Sequence, residues 1–191
     1  MQRTLKTLGL ISASALTLAA AANSAEAQVG PFLGIQYAGA AVSVKGAAED
    51  LKFGSGFGLH VGMASPRWGV LANFDRSVLT RDNDDVRVTQ YDLLGRLNLI
   101  SAKESPFQVF ATAGATGRSA SKGEDFKNIA PTAGAGAQFF LTKNIAINST
   151  ALWTFGNLTR ANNIGLNSPA GTYKSTQTRI HAGLSIYPFG R

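Results

Sequence analysis

At 191 residues, 45% hydrophobic and without cysteine, the chain fits a single folded domain. That composition excludes a disulfide framework, a thiolate metal site and a lipidated cysteine anchor. Eighteen Lys and Arg against eleven Asp and Glu leave a net charge of +7. An excess of that size suits a polyanion, and an export signal would make it lipid phosphate rather than nucleic acid.

The first 27 residues carry such a signal. Arg3 and Lys6 give a basic start, Leu8 to Ala22 an apolar run, and Ala25-Glu26-Ala27 a small-x-small cleavage site. The apolar run falls short of the ~20 residues a spanning helix needs. A cleaved, helical signal peptide over 1–27 is therefore expected, followed by one domain over 28–191. Losing Arg3, Lys6 and Glu26 would leave that domain a net charge of +6.

From Phe32 the pattern is alternation with a period of two, the mark of a strand with two unlike faces. Strand one, about Phe32 to Val44, sets Leu33, Ile35 and Tyr37 against Gly34, Gln36, Ala38 and Ala40. The polar connection Lys45 to Lys52 leads to strand two, Phe53 to Met63. There Phe53, Phe57, Leu59, Val61 and Met63 alternate with Gly54, Gly56, Gly58, His60 and Gly62. Four glycines on one face imply a space too narrow for larger side chains, such as the inside of a small closed barrel.

Strand three, Trp68 to about Thr80, follows the tight turn Ala64 to Arg67 and opposes Val70, Ala72 and Phe74 to Leu71, Asn73 and Asp75. After the charged loop Arg81 to Asp85, strand four runs from Arg87 to Ile100. In it Tyr91, Leu93, Leu97 and Leu99 alternate with Asp92, Leu94, Arg96 and Asn98. Strand five covers Phe107 to Arg118, strand six Pro131 to Leu141, strand seven Ile145 to Phe155 and strand eight Thr176 to Phe189. On the last, Ile180, Ala182, Leu184 and Ile186 face away from Arg179, His181, Gly183 and Ser185.

The connections are long after strands one, three, five and seven and short after two, four and six. The longest is the Asn-, Gly- and Thr-rich Gly156 to Ser175. Short turns on one side and long loops on the other mark an outer-membrane barrel, with both termini in the periplasm. Every Lys and Glu beyond the signal lies in a connection or at a strand's edge, so the polar face reads as enclosed. Aromatic residues collect at strand ends: Phe32, Trp68, Phe107, Phe139, Tyr187 and Phe189 at one edge, Phe53, Trp153 and Phe155 at the other. Two such girdles are expected where rings meet the membrane interfaces.

The predicted fold is all-β: an antiparallel, up-and-down, eight-stranded transmembrane β-barrel. With its signal peptide, Gly-rich inner face and final strand His181-Ala-Gly-Leu-Ser-Ile-Tyr-Pro-Phe189, the chain resembles the small outer-membrane β-barrel proteins of the OmpA/OmpX type. The resemblance implies a Gram-negative outer membrane and biogenesis by the barrel-assembly machinery. It also implies that Phe189 is the terminal aromatic read in assembly. Some barrels of this kind modify lipid A, and such an enzyme needs a nucleophile within reach of a base. Its nearest pairing, His181 with Ser185, spans about 13 Å of strand, and the His-x-Ser arrangement of the barrel deacylases is missing.

The candidate sites are therefore structural. His60, Asp75, Asp92, Arg96, Arg179 and His181 form an expected polar network plugging the interior, since buried charges persist when paired and hydrogen-bonded. Lys122, Lys127, Arg160 and Lys174 are candidate contacts for lipopolysaccharide phosphates. Asp82 to Asp85 lacks the spaced ligands of a calcium loop. No cofactor, catalytic residue or metal ligand is expected. The expected protein is monomeric, with a structural or adhesion-like role carried by its external loops. The competing reading is an exported soluble barrel that holds a small apolar ligand, with the faces reversed.

Overall fold

The computed structural model describes residues 30–189, apart from 47–49, 82–83, 101–104, 122–123, 127–128 and 161–169. The expected signal peptide lies outside the described residues. Eight long strands form the wall: β1 (Gly30–Val44), β2 (Leu51–Ala64), β3 (Trp68–Arg81), β4 (Asp84–Asn98), β5 (Phe107–Ala120), β7 (Ala130–Phe140), β8 (Ile145–Arg160) and β9 (Gly171–Ile186). A two-residue β6 (Glu124–Asp125) pairs only with the far end of β8. Each long strand lies antiparallel to its neighbours in chain order, and β9 bonds to both β8 and β1, which closes the ring. Closure gives each long strand a partner on both sides, the arrangement by which a barrel satisfies its backbone groups inside a bilayer.

The two faces divide as alternation requires. Leu33, Ile35, Leu97, Ile147 and Leu184 are exposed on the outside, while Asp92 and Arg96 are buried within. This overturns the soluble-barrel alternative, which needed the reverse. Outward rings pair between strands: Tyr37 with Phe57 edge-on at 5.8 Å, and Phe74 with Tyr91 at 5.2 Å. No helix among the described residues is long and apolar enough to cross a membrane. The strands present the apolar surface instead.

Three expectations are corrected. Gly156 to Ser175 is not one loop, because β8 continues to Arg160 and β9 begins at Gly171. Its polar residues mislead: Asn157, Thr172 and Lys174 line the exposed outer face of strands that have left the apolar band, while Leu158 points inward and is fully buried. Likewise Asp84 and Asp85 belong to β4, paired with Arg81 and Thr80, rather than to a free loop. Finally, Phe32 and Tyr187 do not join the outer girdle. They share their strands' inward parity with Gln36 and Ser185, and stack on each other at 5.3 Å inside the barrel. Phe53, Phe107, Phe139, Trp153, Phe155 and Phe189 are exposed, as a girdle requires.

Candidate functional site: the lumen and its two seals

The inward face is built in three levels, and glycine explains how the middle one is wired. Gly34 on β1 pairs with His60 of β2 on one side and Ser185 of β9 on the other. A Cβ at Gly34 would collide with the His60 ring and the Leu184 carbonyl. Through that gap His60 Nε2 reaches Ser185 Oγ at 2.8 Å, although a whole strand separates the two residues. Gly58 repeats the device one strand along. It lies between Gln36 and Asp75, and Gln36 Nε2 donates to Asp75 Oδ1 over it at 2.6 Å.

These contacts join into one directed chain. Asp75 as a carboxylate only accepts, so Gln36 turns its amide nitrogen toward it and its oxygen toward His60 Nδ1, 3.1 Å away. His60 then carries its proton on Nδ1, which leaves Nε2 to accept from the Ser185 hydroxyl. Asn148 Nδ2 completes the chain by donating to Ser185 Oγ at 2.8 Å. His181, on β9, holds its Nε2 3.1 Å from Asp75 Oδ2.

Arg179 is the hub of the same level. Its two terminal nitrogens meet both oxygens of Asp92 at 2.8 Å each, and Nη1 also reaches Asp75 Oδ2 at 3.2 Å. Thr116, itself bonded to Asp92, and Thr154 accept from Nη2 at 3.3 Å. Asn73 donates to Asp92 at 3.1 Å. A fork-to-carboxylate pair buried with this many supporting bonds is the arrangement in which a charge tolerates removal from water.

Toward the periplasmic end Arg96 stands apart from the carboxylates. Its guanidinium donates to Asn98, Gln138 and Gln108, each at 2.7 Å, and lies 3.7 Å from the centre of the Phe110 ring. Three amide oxygens and a π face replace a counter-ion. Gln138 hands the network on to Tyr187 Oη at 2.6 Å. Phe32, Phe140, Ala146 and Tyr187 then close the floor as a buried apolar cluster.

The outer mouth is closed by a different material. Ala40, Val42, Val44, Leu51, Leu79, Val86, Val88, Phe126 and Leu158 form a buried apolar core between the strand extensions. Leu51 reaches it because the ladder slips near Lys52 and Phe53, which reverses the parity of β2 at its outer end. Phe126, from the segment after β6, completes the cap, with the Arg118 guanidinium 4.2 Å from its ring centre. Sequence reasoning missed this cap. Its signal was parity: Val86 and Val88 continue the inward register of Gln90, Asp92 and Arg96.

All six predicted network residues are thus inside and buried, and a small cavity of about 30 Å³ lies between the Arg96 and His60 groups. That is room for a water or two and not for a substrate. Asp75, Asp92, Arg179 and His181 form one cluster, His60 joins it through Gln36, and Arg96 heads a second. The other predicted residues scatter. Lys122 and Lys127 lie outside the described residues. Arg160 closes β8 opposite Gly171, and Lys174 is exposed on β9. Phe189 follows the last strand, 75% exposed.

A closed ring with an aliphatic, aromatic-banded exterior and a filled polar interior defines the class: a transmembrane β-barrel. Residues 8–185 match the family model of the outer membrane protein beta-barrel domain, and the chain belongs to that family, whose place is the outer membrane. Among solved structures it is similar to the outer membrane protein OprG from Pseudomonas aeruginosa, at 12% identity and TM-score 0.58, covering 82% of this chain and 95% of that one. It is also similar to Neisserial surface protein A, at 12% identity and TM-score 0.59, covering 83% and 97%. A third likeness is to Ail, the attachment invasion locus protein of Yersinia pestis, at 18% identity and TM-score 0.51, covering 82% and 98%. At these identities the likeness is one of fold. No curated protein matches the chain.

Proposed function

We propose that this outer-membrane barrel serves a structural or surface-interaction role through its external loops, as a monomer that neither conducts solutes nor catalyses a reaction. One observation carries the reading: the lumen is shut at both ends by buried apolar clusters, which leaves the extracellular connections as the parts free to meet a partner. The fold shared with a protein named for attachment and invasion supports the same direction. The His60–Ser185 contact does resemble a base with its nucleophile, where the sequence offered His181 as the nearest base for Ser185. Yet both residues are buried, and the cavity beside them, about 30 Å³, holds a water or two rather than an acyl chain, so the pair serves the hydrogen-bond chain.

In this reading Phe189 engages the barrel-assembly machinery during insertion, and Lys174 is among the residues that touch lipopolysaccharide. The test replaces residues 161–169 with a Gly-Ser linker in cells displaying the protein and measures attachment to immobilised host matrix. A drop to the level of cells lacking the protein, with heat-modifiable migration intact, supports the reading. Unchanged attachment, or none in the parent strain, contradicts it.

A further inference from the structure

The outer wall carries a feature that neither the lumen nor the loops use. Arg76 on β3 and Arg87 on β4 both point outward and are exposed. Their Cα partners are Thr89 and Val78, which makes the two arginines diagonal neighbours across one ladder. Diagonal pairs on one face stand on the order of 7 Å apart, within reach of each other for side chains this long. Neither guanidinium has a hydrogen-bond or ion-pair partner among the described residues. The acidic group nearest in register, Asp85, lies two residues beyond Arg87 on the same face and pairs with neither.

Their height on the wall matters as much as their charge. Arg76 follows Phe74 by one step on the same face, and Phe74 packs against Tyr91, the outward residue two steps inboard of Arg87. On the other flank Arg76 pairs with Phe57, whose ring is 74% exposed. The guanidinium groups therefore stand in the outer part of the aromatic band, with Val78 opposite Arg87 and Phe53 beyond Phe57 also exposed, and with Thr89 and the exposed Ser119 beside them. The far side of the ring offers Ser43, Thr176, Thr178 and Asn157 on its outward face. Lys174, the partner of Asn157, is an exposed ammonium there, whereas two neighbouring guanidinium groups occur in the Arg76–Arg87 sector.

We propose that Arg76 and Arg87 form a clamp for the phosphate of an outer-leaflet glycolipid whose acyl chains lie along Phe57, Phe74 and Tyr91. Two planar forks can take a phosphate through parallel hydrogen bonds, a recognition that lysine cannot reproduce. A bound lipid would supply the counter-charge these exposed arginines lack among the described residues. The inference rests on the outer-membrane placement and is independent of what the loops bind.

The test uses the folded chain in neutral detergent micelles, with bound lipid counted by native mass spectrometry. Probes are bisphosphorylated lipid A and the same lipid stripped of its phosphates. The clamp predicts at least tenfold more retention of the phosphorylated lipid, lost in R76Q/R87Q and kept in K45Q/K143Q, which removes equal charge at exposed positions elsewhere. Millimolar inorganic phosphate should not displace the lipid. Equal retention of both lipids by the parent chain overturns the proposal, and that arm needs no variant to fold. So do a heat-modifiable R76Q/R87Q that binds like the parent, an equal loss in K45Q/K143Q, and displacement by free phosphate.

Discussion

The middle of the lumen and its outer mouth are filled by the same strands yet held by opposite physics. In the middle, Arg179, Asp75 and Asp92 are buried charges kept by geometry, and removing one partner strands the others. At the mouth, Val42, Leu51, Leu79 and Leu158 are an ordinary apolar core, built where the strands have risen past the lipid and outward residues such as Asn157 and Lys174 meet water. Side chains inside the lipid band need not be apolar, because lipid already covers the outside. Above that band the wall must supply its own hydrophobic interior.

The sharpest way to break the contrast is to unpair the hub. Asp92→Ala leaves Arg179 without its two-point partner, and unfolding by urea from lipid vesicles should show a loss of about 3–5 kcal/mol. Leu79→Ala at the mouth should cost about 2–5 kcal/mol by the cavity route, with no dependence on salt. A cost near zero would mean that the cap is not packed as a core. Gly34→Ala should cost about 1–3 kcal/mol, because the new methyl enters the space of the His60 ring. In a His60→Ala background that cost should shrink without vanishing, since the Leu184 carbonyl still faces the methyl.

The smallest expected effect has the opposite sign. Gln90 lies at the border of the two regions, fully buried, with neither side-chain amide atom bonded to a protein partner. Gln90→Met keeps the length and removes both unsatisfied atoms, so it should stabilise by about 1 kcal/mol in the same assay. Destabilisation there would show that the amide is held by ordered solvent and that the border belongs to the polar region.

Much of this was legible because alternation is a strong signal. Parity alone assigns Asp75, Asp92, Arg96, Arg179, His60 and His181 to one enclosed face, and the long and short connections orient the barrel. What parity cannot show is contact between residues two strands apart. The glycines of β1 and β2 read as marks of a narrow space, but the structure shows them as gaps through which His60 meets Ser185 and Gln36 meets Asp75. The outer cap was hidden for another reason. Its residues sit in stretches whose exposed partners are polar, so Leu158 between Asn157 and Thr159 looks like loop composition. The slip at Lys52 and Phe53 then hides the inward turn of Leu51.

Conductance tests the sealed lumen most directly. The folded chain inserted in planar bilayers at high salt should give no resolvable current steps, because the two apolar seals and the Arg179–Asp75–Asp92 network between them fill the lumen. Steady open-channel steps from the unmodified chain would contradict the account, because they require a continuous water path through a lumen closed here at both ends.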